Sequence, residues 1–360
     1  MDKILSWLMA GDPAIRWQLL RDLLDAPETK WQAERRRTQR HGWGAQLLAE
    51  QAPDGIWGGG LYSPKWISST YTLLTLVGIG LPQDNRQARR GTQVALDGLY
   101  GLKADDALYH RTYAFDQCVS GMLVHLAAYF GIAGDRVSVM VKSLLENRMP
   151  DGGWNCRIKR KPRPTHSSFH TTINVLEGLR LVIEQGGVHS AAAQEAERNA
   201  QEMLLRHGLF RSHRTGQVID ERWTLLSFPP RWHYDILRAL DCFARSNAPR
   251  DVRLMESIDS LLSRRRRDGL WPVQRKHPAL VYFDMEKTGG PSRWNTLRAL
   301  RVLRWWNNGQ AGASDGERSL RVHRDKIKSH YALDSHGNPE LFPPNCKSGR
   351  LGFRAVFPNC

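Results

Sequence analysis

The sequence is short of cysteine: five in 360 residues cannot build the disulfide framework of a small secreted domain. No apolar run reaches the length of a transmembrane helix. Met1–Gly11 is too short, and too acidic at Asp2, to read as a signal peptide, so a cytoplasmic location is expected. Period-two alternation of apolar and polar residues is almost absent, and few strands are expected. Acidic residues are in deficit, with 36 Asp and Glu against 52 Lys and Arg, a formal charge of +16. Such an excess attracts anions: phosphorylated ligands, lipid headgroups or nucleic acid. No nucleic-acid motif accompanies it, so nucleic acid is not an expected partner. A phosphorylated or hydrophobic small molecule, and peripheral contact with an anionic membrane, remain open. The basic residues are dispersed, and the runs Arg35–Arg37, Arg157–Arg163 and Arg264–Arg267 read as solvated surface.

What the chain does have is tryptophan, 13 copies in all, within a hydrophobic content of 41% that supports a sizeable core. Several tryptophans sit in one recurring turn. Gln51-Ala-Pro-Asp-Gly-Ile-Trp57, Met149-Pro-Asp-Gly-Gly-Trp154 and Arg267-Asp-Gly-Leu-Trp271 share Asp-Gly followed by Trp. Asp-Gly favours a tight turn, because Gly accepts positive φ and Asp bonds its own backbone. Three copies, each ahead of a helical segment, signify repetition.

The segments downstream match as well. Leu73–Leu76, Met122–Leu126, Leu176–Leu179, Leu237–Leu240 and Leu297–Leu300 each carry an apolar face of helical period, spaced by about 50 to 60 residues. Amphipathic second helices are expected over Arg136–Asn147, Ala191–Leu205 and Asp251–Arg264. Asp12 and Pro13 open a first helix as N-cap and first helical residue. A helix pair cannot bury both faces alone, whereas five or six in succession can close into a ring with one layer inside and one outside. The expected fold is therefore all-α, an (α/α) toroid of about five to six helix pairs over residues 1–306 with a central cavity. Residues 307–360 read as a linker and irregular tail.

Gln-x-x-Asp-Gly-x-Trp resembles the repeat of squalene-hopene and oxidosqualene cyclases. The whole chain resembles bacterial proteins described as carrying prenyltransferase and squalene oxidase repeats. The resemblance implies an α/α toroid, but a fold alone does not fix chemistry. The Asp-x-Asp-Asp proton donor of such cyclases is missing, as is the aspartate-rich Mg²⁺ motif of ionising terpene synthases. Phe115-Asp116-Gln-Cys118 resembles the Asp-x-Cys segment of protein prenyltransferase β-subunits, and Phe169-His170-Thr-Thr resembles their Tyr-His-Thr segment. By that resemblance Asp116, Cys118 and His170 would bind a catalytic zinc. Three N, O and S ligands with one open position suit a catalytic rather than a structural zinc. Arg111 and Tyr113 would stand in for residues that hold a lipid diphosphate, although their spacing departs from that family's.

Ser227-Phe-Pro-Pro-Arg231-Trp232-His233-Tyr234-Asp235 is the densest chemical segment. Arg231, His233 and Asp235 lie at a helix start, where backbone N–H groups favour anions. His233, Tyr234 and Asp235 are the candidate catalytic groups, with His233 as base; the alternative is an aromatic packing cluster with Asp235 as helix cap. Trp66, Phe169, Arg231, Trp232 and Trp294 are candidate cavity residues. Trp57, Trp154 and Trp271 are expected to be structural, and Asp284 and Glu286 to serve as capping groups. The leading expectation is a zinc-dependent enzyme acting on an isoprenoid or other hydrophobic substrate. The alternatives are a metal-free cyclase and a non-catalytic lipid-binding module.

Overall fold

The computed structural model describes residues 2–100, 116–156 and 163–308. Arg111, Tyr113 and the tail beyond residue 308 lie outside the described residues. Among those described, the protein is mostly helical and has no β-strand, only isolated bridges. The helices are α1 (Asp2–Met9), α2 (Pro13–Asp22), α3 (Glu28–Arg37), α4 (Gly42–Ala49), α5 (Ser69–Gly78) and α6 (Arg86–Tyr100). There follow α7 (Gln117–Tyr129), α8 (Asp135–Glu146), α9 (Phe169–Gln185) and α10 (Ser190–Arg206), then α11 (Ile236–Arg245), α12 (Met255–Ser263) and α13 (Arg293–Asn308). No helix among the described residues is long and apolar enough to cross a membrane.

Four helix starts have a side-chain cause. Asp12 caps α2 by accepting from the Ala14 N–H at 2.8 Å, and its second oxygen accepts from the Trp43 N–H at 2.8 Å, tying α2 to α4. Ser168 caps α9 and Asp235 caps α11 through side-chain oxygens. At α13, Glu286 accepts from the Trp294 N–H at 3.1 Å and from the Ser292 hydroxyl.

The three Asp-Gly-x-Trp turns share one construction. Gly55, Gly152 and Gly269 have φ of 92°, 107° and 83°, where a side chain would be strained. Trp57, Trp154 and Trp271 are fully buried. Their indole N–H groups donate to the carbonyls of Leu47, Leu144 and Leu261, each at 2.7 Å. Each carbonyl lies two residues before the end of its helix, where the helix leaves carbonyls without an internal partner. The tryptophan backbone N–H groups donate to the hydroxyls of Ser69, Thr172 and Thr296 on the next long helix. A worn fourth copy is His207-Gly208-Leu209-Phe210, with Gly208 at φ 49° and Phe210 buried.

The helices that carry the five apolar segments touch in succession: α5 meets α7, α7 meets α9, α9 meets α11, α11 meets α13, and α13 returns to α2. α6 packs on α5 and α7, α8 on α7, α10 on α9, and α12 on α11. α7 and α9 approach closely. A Cβ at Gly178 would sit 2.5 Å from the Gly121 carbonyl oxygen, and one at Gly121 would sit 2.8 Å from the Val175 Cα.

Candidate functional site

The principal cavity measures about 730 Å³, within the range of small-molecule sites. Its wall is formed by α2, α5, α7, α9, α11 and α13 with the Phe228–Arg231 segment. The wall is cationic, with ten arginines facing it against four carboxylates, Asp22, Glu177, Glu184 and Asp241.

Five of the arginines gather around carboxylates in two groups. Asp241 accepts from Arg298 at 3.0 Å, from Arg301 at 2.7 Å and from Arg245 at 3.2 Å. Arg301 also reaches Asp22 at 2.5 Å, which is itself paired with Arg21. Burial alone would raise the Asp241 pKa, but Arg301, Arg245 and Arg298 hold it well below the usual carboxylate range. Across the cavity, Arg238 is buried against Glu177 at 2.6 Å and donates to the carbonyls of Arg231 and His233. His125 stands 4.0 Å from Glu177, and burial pushes its pKa down to about 4, so it is a neutral imidazole able to accept a proton.

Arg231 differs from these. Its backbone has φ 57°, and its guanidinium donates to the Thr75 hydroxyl at 3.1 Å and lies over the Trp66 ring. Among the described residues it is paired with no carboxylate. Burial lowers its pKa to about 10, which still leaves it charged at neutral pH. Tyr71, Leu74 and Trp294 supply an apolar part of the same wall, with Trp294 stacked on Phe228 at 4.7 Å. Trp66 is buried, donating to the His277 carbonyl at 3.1 Å, and lines only a small side pocket beside Arg231.

The chain matches no known family model, no curated protein and no solved structure. The site is therefore read from its own geometry.

Several residues singled out in the sequence lie away from the cavity. Asp235 is buried, bonded to the Arg238 N–H at 2.8 Å and to Ser227, so its carboxylate is committed to starting α11. The Tyr234 hydroxyl donates to the Leu209 carbonyl at 2.7 Å, and its ring packs with Phe169 and Trp223. Phe169 belongs to that packing cluster. His233 is stacked between Trp232, at 3.9 Å, and His277, at 3.8 Å. Burial, with His277 and His170 beside it, keeps the His233 ring neutral by lowering its pKa.

The proposed zinc ligands are not gathered on one point. The His170 Nδ1 accepts from the Tyr234 N–H at 2.8 Å, and the ring lies among Trp223, Trp232 and His233. Cys118 instead lies against Cys156: its backbone N–H donates to the Cys156 sulfur at 3.1 Å. The Asp116 residue is exposed at the start of α7. Among the described residues, no three His, Cys, Asp or Glu side chains are grouped to hold a metal ion. Cys156 had not been singled out in the sequence. Its pKa is lowered by the Cys118 thiol and by the Thr171 hydroxyl, against the effect of burial, while Cys118 is raised by the same thiol contact and by burial.

The cavity arginines had a sequence signal that was read only as an apolar face. Leu176-Glu177-Gly-Leu179-Arg180, Leu237-Arg238-Ala-Leu240-Asp241 and Leu297-Arg298-Ala-Leu300-Arg301 place charged residues at equivalent positions of three repeats. Neighbouring helices pair through them: Glu177 with Arg238, and Asp241 with Arg298 and Arg301.

Proposed function

We propose that the helices form an (α/α) toroid and that its cavity binds a small molecule with clustered negative charge, of the phosphate or diphosphate class, and an apolar body. The return of α13 to α2 after the succession α5, α7, α9, α11 supports the ring. The observation that carries the ligand reading is Arg231, a half-buried guanidinium on the cavity wall whose charge no described carboxylate balances. Withdrawing a cation from water without a partner costs free energy, and an anion in the cavity would offset that cost. Asp241 shared by three guanidiniums adds to the same excess. Tyr71, Leu74 and Trp294 offer the apolar contact. The family resemblance makes an isoprenoid diphosphate the first ligand to try.

Calorimetry on the full chain tests this with an isoprenoid diphosphate, inorganic pyrophosphate and the matching uncharged prenyl alcohol. The diphosphate is expected to bind tightest, and more weakly as salt rises. A hydrogen bond to a charged group contributes roughly 1.5–3 kcal/mol, so Arg231→Gln is expected to weaken diphosphate binding by about ten- to a hundred-fold. Equal affinity for the alcohol, or an unchanged affinity in Arg231→Gln, would reject the reading.

A further inference from the structure

Away from the arginine cluster, the first turns of α7 and α9 converge on one sulfur. The Cys118 backbone N–H, one of the donors that a helix N-terminus leaves unpaired, points at Cys156 Sγ from 3.1 Å. The Thr171 hydroxyl, in the first turn of α9, donates to the same sulfur at 3.2 Å. The Cys118 side chain lies beside the same sulfur. Sulfur in such a place is stabilised as thiolate, the form that attacks electrophiles. Both cysteines are half-buried, whereas Cys242 is buried. A small oxidant can reach such a pair more readily than a bulky disulfide can.

We propose that Cys156 and Cys118 form a peroxide-reactive dithiol in which Cys156 attacks and Cys118 resolves. The Cys156 thiolate attacks one oxygen of hydrogen peroxide. The O–O bond breaks, the departing hydroxide takes up a proton as water, and Cys156 becomes a sulfenic acid. The Cys118 sulfur then displaces the hydroxyl from the Cys156 sulfur. Its thiol proton leaves with that hydroxyl as a second water, and a disulfide forms. Two thiols are thereby oxidised by two electrons and one peroxide is reduced to two waters. The bond joins the first turn of α7 to the residue two places after Trp154, next to the Tyr62 and Tyr71 rings that pack with Cys118. A reducing thiol reverses it by exchange. The chemistry does not depend on what fills the cavity.

The test uses the reduced full chain. It is treated with one equivalent of hydrogen peroxide, quenched, alkylated, digested and mapped by mass spectrometry. The expected product is a Cys118–Cys156 linked peptide pair, lighter by two hydrogens than its parts, with Cys242 still alkylated. In Cys118→Ser the sulfenic acid on Cys156 persists and is trapped by dimedone, at least about tenfold above Cys242. In Cys156→Ser, dimedone labels Cys118 no more than Cys242. Wild-type protein in which Cys118 and Cys156 both stay alkylatable overturns the proposal whatever the variants do. So does preferential linkage of Cys156 to Cys346 or Cys360.

Discussion

At the scale of single residues, the three repeat tryptophans and Arg231 show how similar-looking positions diverge. Each tryptophan spends its indole N–H on a carbonyl near a helix end and its backbone N–H on a hydroxyl of the following helix. Nothing of the side chain is left over for a ligand. Trp154→Phe is therefore expected to remove the bond to the Leu144 carbonyl and leave part of a buried site empty. The cost should be about 2 kcal/mol, read as a lower urea midpoint at unchanged slope. A loss below about 0.5 kcal/mol, the range of ordinary surface substitutions, would mean that the indole bond is not structural. The repeat was legible because Asp-Gly closely followed by Trp is an uncommon combination that stands out when it recurs. The chemistry of the Arg231–Asp235 segment was not legible from the string. Alternate residues there point to unrelated surroundings, Arg231 to the cavity, Tyr234 to the Leu209 carbonyl and Asp235 to a helix cap.

At the scale of elements, apolar periodicity located the helices well. The five apolar segments fall within α5, α7, α9, α11 and α13, and Asp12 caps α2. What periodicity hid was the polar residue beside each leucine pair. A helix whose outer side is covered and whose inner side faces a cavity buries charges as well as leucines, so an arginine such as Arg238 reads as surface in the string yet is 4% exposed. The Cys118–Cys156 contact was hidden for another reason: it joins a helix start to a loop 38 residues away, outside any repeat spacing. The α7–α9 contact makes the element-scale prediction. Gly121 and Gly178 let these backbones approach, and a Cβ at Gly178 would meet the Gly121 oxygen at 2.5 Å. Helix propensity alone favours Gly178→Ala by about 1 kcal/mol. Overpacking of a rigid backbone contact costs about 1–3 kcal/mol and should win. Gly178→Ala is expected to lower the midpoint of thermal unfolding; a rise would show that α7 and α9 can separate without loss.

At the scale of the whole molecule, buried ionisable groups set how stability follows pH, and their signs compete. Burial lowers the pKa of His125 and His170 to about 4 and of His277 to about 3, so these rings stay neutral when folded. In the unfolded chain each takes a proton near pH 6.5. The unfolded state then binds more protons, so stability is full above about pH 6.5 and falls as the pH drops towards the folded values. Asp241 and Glu177, held down by arginines, contribute nothing to that first loss, because they remain ionised in both states until the pH nears the ordinary carboxylate range. Asp12, Glu197 and Glu286, raised by burial, act in the opposite direction, but as three groups against five histidines lowered by burial. The midpoint of thermal unfolding is expected to fall between pH 7.5 and 5. His277 is the sharpest probe, since it is 4% exposed, its ring nitrogens have no hydrogen-bond partner among the described residues, and it stacks on His233. His277→Phe keeps a ring in the stack and removes one proton uptake, so its midpoint should fall less steeply over that interval. A slope equal to that of the wild type would show that the histidine stack does not carry the acid sensitivity.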